Sequence, residues 1–530
     1  MRGFLSRFPN WWHRSEWFVR WLNLPCFEGP PSAPGLILIQ IDGLSLPQLQ
    51  RALARRRMPF LKRLIRRKRF RLHPHYCGLP STTPATQGAL FYGVHPAVPA
   101  FSFRLHGELI RMYEPEAAQA VEAQLARYGQ FPLLAGGSAY VSTFTGGAQE
   151  PHFCPAAAGW GKPLRGAPTW VLLLFVLLHL PSLLRLSGLV LVELGLAITD
   201  FFRGLTEGQD FFKELKFIPT RVGISILLRE LSVIGTQLDL ARGLPVIYLN
   251  FLGYDEQAHR RGPDSYFAHW TLKGIDAAIA RIWHAAKRSR RRRYQVLIYS
   301  DHGQERVIPY SARFGRHLEQ AVAELLAEMG IDGQLRADTG HGIQTLRIRW
   351  FGGRLIQKLF PVLEEEGEGG VPRLMLSALG PVGHLYLERP LDQSLKSHIA
   401  QGLATRAGVP LVLASTGEGV RAWTAAGEFK LPQQAAELFG ADHPFLERLG
   451  EDWVKLCQHP QAGDFVLVGW RHGVPPMSFA IENGAHAGAG INETSAFALL
   501  PEELSLSFAS RRYLTTLDLR AAALAWLGYA

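Results

Sequence analysis

Cysteine is scarce in this chain, with four in 530 residues. Cys26, Cys77, Cys154 and Cys457 lie far apart and form no CxxC pair. That spacing argues against a disulfide framework and a cysteine-built zinc site, and free thiols fit a reducing compartment. Charge is thin too: 19% of residues are charged against 47% hydrophobic. Disorder is therefore not the expected state, and a sizeable core is. Internal repeats and long low-complexity segments are absent. So is an uninterrupted apolar run of the roughly 18 residues that a clear spanning helix needs. The most apolar stretch, 169–199, is interrupted by Pro181, Arg185 and Glu193. It fits a buried helical hairpin, a membrane-dipping hairpin or one tilted, imperfect span, with a membrane-contacting hairpin preferred. The first 29 residues lack the apolar core of a secretory signal. That absence points to the cytoplasmic side of a membrane as the expected location.

What is present is basic. The net charge is +12, and runs at 51–71 and 287–293 supply much of it. Such runs attract phosphates, anionic lipid heads or nucleic acid; a solvated helix face and a loop account for them equally well. Residues 1–33 form a basic, aromatic N-terminal segment with Trp11, Trp12, Trp17 and Trp21. It suits either an interfacial amphipathic segment or a packed helix.

From residue 34 onward the pattern is one α/β domain, 34–530, with two interruptions. The run 36–41 is apolar except for Gln40 and ends in Asp42-Gly43, as a central parallel strand would. Residues 49–68 have helical spacing. A turn over 78–84 leads into a helix over 85–92, with Pro84 suited to a first helical turn. Residues 105–240 read as a helical, apolar insertion that includes an amphipathic helix over 220–241. A strand at 245–252 follows, then a loop over 253–263. Asp264 is a candidate cap for a helix with the stripe Ala268, Leu272, Ile275, Ile279 and Ile282. A strand at 295–299 ends in Ser300-Asp301-His302-Gly303. Residues 345–470 read as a second, α+β insertion, 484–490 as a loop carrying His486, and 516–527 as a closing helix. Strand–helix–strand succession implies a mostly parallel central sheet flanked by helices.

Asp42, Thr82, Asp255, His259, Asp301, His302 and His486 are the chemistry-bearing residues of this frame. Most follow an apolar run that reads as a strand. Asp255 and His259 share one side of a turn or short helix. His486 stands in Gly-Ala-His-Ala-Gly, where backbone can fold closely around a metal. Zinc accepts imidazole and carboxylate at about 2.0–2.2 Å and keeps an open position in catalytic sites. A pair of such ions can clamp the attacking and leaving oxygens of an in-line displacement. Metal coordination also activates a hydroxyl nucleophile without a histidine base. Alone, Thr82 would be an ordinary helix N-cap.

In Ile-Asp42-Gly, Ser-Thr82-Thr-Pro84, Asp255-Glu-Gln-Ala-His259-Arg-Arg-Gly-Pro263, Ser-Asp301-His302-Gly303 and Gly-Ala-His486, the chain resembles the alkaline phosphatase superfamily. The likeness is to its nucleotide pyrophosphatase/phosphodiesterase-like branch. The resemblance implies an alkaline phosphatase-like fold and two zinc ions, with other divalent metals as alternatives. Asp42, Thr82, Asp301 and His302 would face one ion, and Asp255, His259 and His486 would hold the other. In that branch the nucleophile is a threonine two residues before a proline, which selects Thr82. It would attack phosphorus, and water would hydrolyse the phosphothreonine. The implied substrate is a nucleotide or lipid phosphodiester. A phosphomonoesterase on the same scaffold is the alternative. A membrane- or nucleic-acid-binding protein with a degenerate site is another. An anionic membrane surface is a candidate partner, and nucleic acid is disfavoured.

The sequence departs from the branch in one place. An Asn that contacts phosphate is missing from 96–104, where Ser102 or Arg104 could substitute. His341 rivals His486 as last ligand. A sulfatase is disfavoured, because a Thr stands at the nucleophile position.

Overall fold

The apolar run after residue 33 is the strand Pro34–Ile41, which lies inside an eight-stranded sheet. This computed structural model describes residues 12–157, 223–338 except 332 and 334, 374–387, 391–529 except 506, 507 and 509, and the positions 188, 191, 195 and 198. From one edge the strands are Leu514–Thr515, Phe70–Tyr76, Ser495–Pro501, Arg293–Tyr299, Pro34–Ile41, Val246–Phe251, Ser138–Tyr140 and Glu150–His152. All neighbours are parallel except those of Ser495–Pro501, which runs in reverse. The expected α/β class with a mostly parallel sheet is observed.

Helices cover both faces, which is why the central strands are apolar without alternation. Ile37, Ile39 and Ile41 pack with Leu272, Ile275 and Ile279 of the helix Tyr266–Arg288. Leu36 and Leu38 point the other way, towards Leu90 and Phe91 of Thr83–Tyr92 and Leu519 of Thr516–Leu527. The period of two along a strand sends successive residues to opposite cores.

Several expectations need correction. Residues 105–240 are not wholly an insertion: Ser138–Tyr140 pairs with Val246–Phe251, and Glu150–His152 extends that edge. Strands of three residues are too short to show an alternation. The apolar stretch 169–199 lies outside the described residues apart from single positions. Among the described residues no helix is long and apolar enough to cross a membrane. The basic stretch 49–68 is two helices, Leu46–Ala54 and Pro59–Arg66, because Pro59 suits a helix start and not an interior. Asp264 is not the cap of Tyr266–Arg288. Ser265 is, accepting from Ala268 N at 3.2 Å, while Asp264 accepts from Arg306 Nε at 3.1 Å.

The second α+β region begins before residue 345. Its seven-stranded sheet runs Leu335–Asp338, Leu374–Ser377, Val382–Leu387, Phe465–Val468, Leu411–Thr416, Gly419–Thr424, Gly427–Leu431. Leu318–Glu328 and Gln393–Thr405 pack on one face and Leu446–Cys457 on the other. Asp452 ties Leu446–Cys457 to the main sheet, accepting from Tyr76 Oη at 2.9 Å and lying 3.3 Å from His95 Nε2.

Candidate metal centre

The candidate ligands gather at one end of the main sheet because the chain leaves its parallel strands there. Asp42 follows Pro34–Ile41, and Asp301-His302 follow Arg293–Tyr299. Beyond Val246–Phe251 the chain forms a helix, Gly253–Arg261, where a loop was expected. Asp255 and His259 stand one turn apart on it, on one side. His486 precedes the reversed strand, whose start lies at this same end.

Two groups of donors result: Asp42, Asp301 and His302, and Asp255, His302 and His486. His302 Nε2 is 3.5 Å from Asp42 Oδ1 and 3.4 Å from Asp301 Oδ2. His259 Nε2 is 3.3 Å from Asp255 Oδ2, and His486 Nε2 is 4.0 Å from Asp255 Oδ1. The His302 and His486 rings stack at 3.7 Å, which brings the groups side by side. Most of these spacings are long for hydrogen bonds. They match the roughly 3.3–3.6 Å between ligand atoms that share a tetrahedral cation at about 2.0–2.2 Å. The donor set therefore fits a metal.

All three imidazoles are oriented from behind. His302 Nδ1 faces Gly303 O at 2.9 Å, and His486 Nδ1 faces Ser81 O at 2.8 Å. His259 Nδ1 faces Glu482 Oε2 at 2.8 Å and Gly484 O at 2.9 Å. Every one of these partners accepts, so the proton is assigned to Nδ1 and the Nε2 lone pair is left for the cluster. The carboxylates are anchored as well. Asn250 Nδ2 donates to Asp42 Oδ2 at 2.6 Å, Gln304 Nε2 to Asp255 Oδ1 at 2.5 Å, and Gly43 N to Asp301 Oδ1 at 3.3 Å.

The electrostatics follow from burial. Burial raises Asp301 above the usual carboxylate range. Burial would do the same to Asp255, but His259 beside it carries it well below that range. Burial would lower His259, yet Asp255 and Glu482 hold it well above its ordinary value. His486 is pushed well below by burial, with His302 adding to the effect. Buried charges of both signs in so small a volume are costly unless paired or joined by a metal.

The two adjacent threonine hydroxyls lie in different surroundings. Thr82 is the N-cap of Thr83–Tyr92 but makes no side-chain cap bond. It is wholly buried, and its Oγ1 has no hydrogen-bond partner. The hydroxyl that meets the cluster is that of Thr83, only partly buried. Its Oγ1 donates to Asp301 Oδ2 at 2.7 Å and lies 3.4 Å from Asp42 Oδ1 and 3.3 Å from His302 Nε2. Thr83 thus supplies the fourth corner of the Asp42, Asp301 and His302 group. The spacing to Pro84 selects Thr82, whereas the hydroxyl beside these three side chains belongs to Thr83.

Ser102 and Arg104 are engaged elsewhere. Ser102 Oγ donates to Asp338 Oδ2 at 3.0 Å, and the Arg104 guanidinium lies over the Tyr386 ring at 4.8 Å. His341 lies outside the described residues. Asn250, Gln304 and Glu482 carried no sequence signal, since their roles depend on contacts between distant segments.

Residues 232–345 match the family model for type I phosphodiesterase/nucleotide pyrophosphatase. That stretch holds Asp255, His259, Asp301 and His302. No curated protein matches the chain. Phosphonoacetate hydrolase from Sinorhizobium meliloti 1021, in complex with phosphonoformate, is a similar solved structure. It aligns over 94% of this chain and 98% of its own, at 15% identity and a TM-score of 0.47. An inactive variant of murine ectonucleotide pyrophosphatase/phosphodiesterase 5, in complex with AMP, aligns over 94% and 96%, at 10% identity and a TM-score of 0.44.

Proposed function

We propose that this chain is a member of the nucleotide pyrophosphatase/phosphodiesterase-like branch of the alkaline phosphatase superfamily, whose family model matches residues 232–345, and that it hydrolyses phosphate diesters with Thr83 as nucleophile. Asp42, Asp301 and His302 would hold one zinc ion, and Asp255, His259 and His486 a second. Such ions, when bound, supply positive charge to the phosphoryl oxygens and lower the pKa of an oxygen nucleophile. The observation that carries the reading is the Thr83 hydroxyl, set among three ligand-type side chains at 2.7–3.4 Å.

The residues divide the work. Asp301 accepts the Thr83 hydrogen bond and fixes the direction of its lone pairs. Thr83 Oγ1 forms the new bond to phosphorus as the ester oxygen departs, and the Thr83 proton leaves on the departing alcohol. The oxygen of water then replaces Thr83 Oγ1 on phosphorus, which regenerates the hydroxyl and releases the phosphoryl product. The anchored imidazoles and carboxylates keep their places through both displacements, so little reorganisation accompanies the reaction. The substrate class is a nucleotide or lipid phosphodiester.

Turnover of an aryl phosphodiester by Thr83→Ala and Thr82→Ala tests the assignment. Thr83→Ala should abolish turnover with the fold intact, and Thr82→Ala should keep it. Full activity in Thr83→Ala would remove Thr83 from the chemistry.

A further inference from the structure

His486 is followed by strained backbone. Ala487 has φ 124°, which a residue with a β-carbon rarely adopts. Such a conformation persists only where its surroundings over-determine it. Ser81 holds the loop on one side. Its N–H donates to Ala487 O at 3.3 Å, its Oγ accepts from Ala487 N at 3.0 Å, and its carbonyl faces His486 Nδ1. Glu493 holds it on the other. This side chain is 1% exposed. Its Oε2 accepts from Gly488 N at 2.8 Å and Ser81 Oγ at 3.3 Å, and its Oε1 from Gly490 N at 2.7 Å. Its carbonyl accepts from Gly303 N at 2.8 Å, directly after His302.

A capping glutamate in the first turn of Ile491–Thr494 would account for the bond to Gly490 alone. The reach of Oε2 to Gly488 and Ser81 is a further function. Burial and the nearby Glu305 push the Glu493 carboxyl up to about 8, against the pull of the Gly488 and Gly490 N–H groups and of the Ser81 hydroxyl, which it shares with Gly488 O at 3.0 Å. One side chain therefore links the turn that precedes Thr83, the segment that carries His302 and the loop that carries His486. A β-carbon at Gly488 would come within 2.9 Å of Glu493 Oε1, so the clasp also needs glycine there.

We propose that Glu493 is a positioning residue, which fixes His486 relative to Thr83 and His302 and so sets the spacing of the two halves of the metal centre. The inference rests on the hydrolase reading above and deepens it. It acts through backbone: loss of the Oε2 bonds frees Ala487 to relax, and His486 Nε2 turns away from Asp255.

The test is cobalt(II) titration of wild-type protein and Glu493→Gln, followed by visible absorption, beside steady-state turnover of an aryl phosphodiester. Glutamine keeps the volume but turns an amide donor towards backbone N–H groups. The expected result is one cobalt equivalent weakened about 10–100-fold, as for other residues that orient metal ligands. A lower kcat, a nearly unchanged KM and a native circular dichroism spectrum should accompany it. Should Glu493→Gln fail to fold, Ser81→Ala breaks the same clasp from the other side and should weaken the same equivalent. Wild-type cobalt binding retained unchanged in the folded variant, with only the melting temperature lowered, would overturn the positioning role and leave the hydrolase reading standing. Wild-type protein with neither cobalt absorption nor turnover would overturn the hydrolase reading, and this inference with it.

Discussion

Gly43 stands between the two halves of the cluster, and its replacement by alanine is a demanding test of the geometry. Its φ is +69°, and a β-carbon there would lie 2.4 Å from Asp255 Oδ1 and 3.1 Å from Asp255 Cβ. Two costs follow. The left-handed conformation costs a residue with a β-carbon about 1–2 kcal/mol, and overpacking a tight site costs about 1–3 kcal/mol. Their sum is about 2–5 kcal/mol, a large share of an ordinary domain's stability. Asp255 has little room to yield, because Gln304 Nε2 holds its Oδ1 at 2.5 Å and His259 lies against its Oδ2. If it does yield, it leaves its place in the Asp255 group. Urea denaturation with a chelator present isolates the strain, and metal content of the untreated protein reads the displacement of Asp255. Both should fall in Gly43→Ala. A variant with wild-type stability and wild-type metal content would refute the close approach of Gly43 and Asp255.

Two further outcomes follow from contacts away from the centre. Asp276 accepts from Phe60 N at 2.8 Å and Leu61 N at 3.0 Å, which ties the start of Pro59–Arg66 to the long helix; Asp276→Ala should cost about 1–3 kcal/mol in urea denaturation, and no loss would show that water replaces those bonds freely. Burial holds His75 and His384 down to about 4 from 6.5. Between those values the unfolded chain binds protons that the native one refuses, so stability rises with pH across the window and is lost on acidification below 6.5. Each ring contributes up to about 3 kcal/mol, and a melting temperature that stays flat from neutral pH down to about 4 would contradict their burial in the neutral form.

Much of the centre was legible because strand ends are abrupt in sequence. An apolar run that stops at Asp42 or at Asp301-His302 announces both a buried strand and a polar group at its end. The closing helix was legible for a similar reason, and it runs over Thr516–Leu527 as read. Thr83 was not legible. Adjacent hydroxyls at a helix start differ in direction through backbone torsions: Thr82 is extended, at φ −134° and ψ 151°, whereas Thr83 already belongs to the helix. Sequence spacing carries no record of that difference. The short strand Ser138–Tyr140 was missed because pairing with Val246–Phe251, and not local pattern, makes it a strand. Glu493 has the same kind of invisibility. Its partners Ser81 and Gly303 are distant in sequence, and its three-residue step to Gly490 resembles any capped turn.

Metal analysis of the purified chain tests the account most directly. The account predicts about two divalent ions per chain, with loss of metal from His302→Ala, whose ring belongs to both donor groups. Wild-type protein that binds no metal, with diester hydrolysis indifferent to chelator, would contradict it.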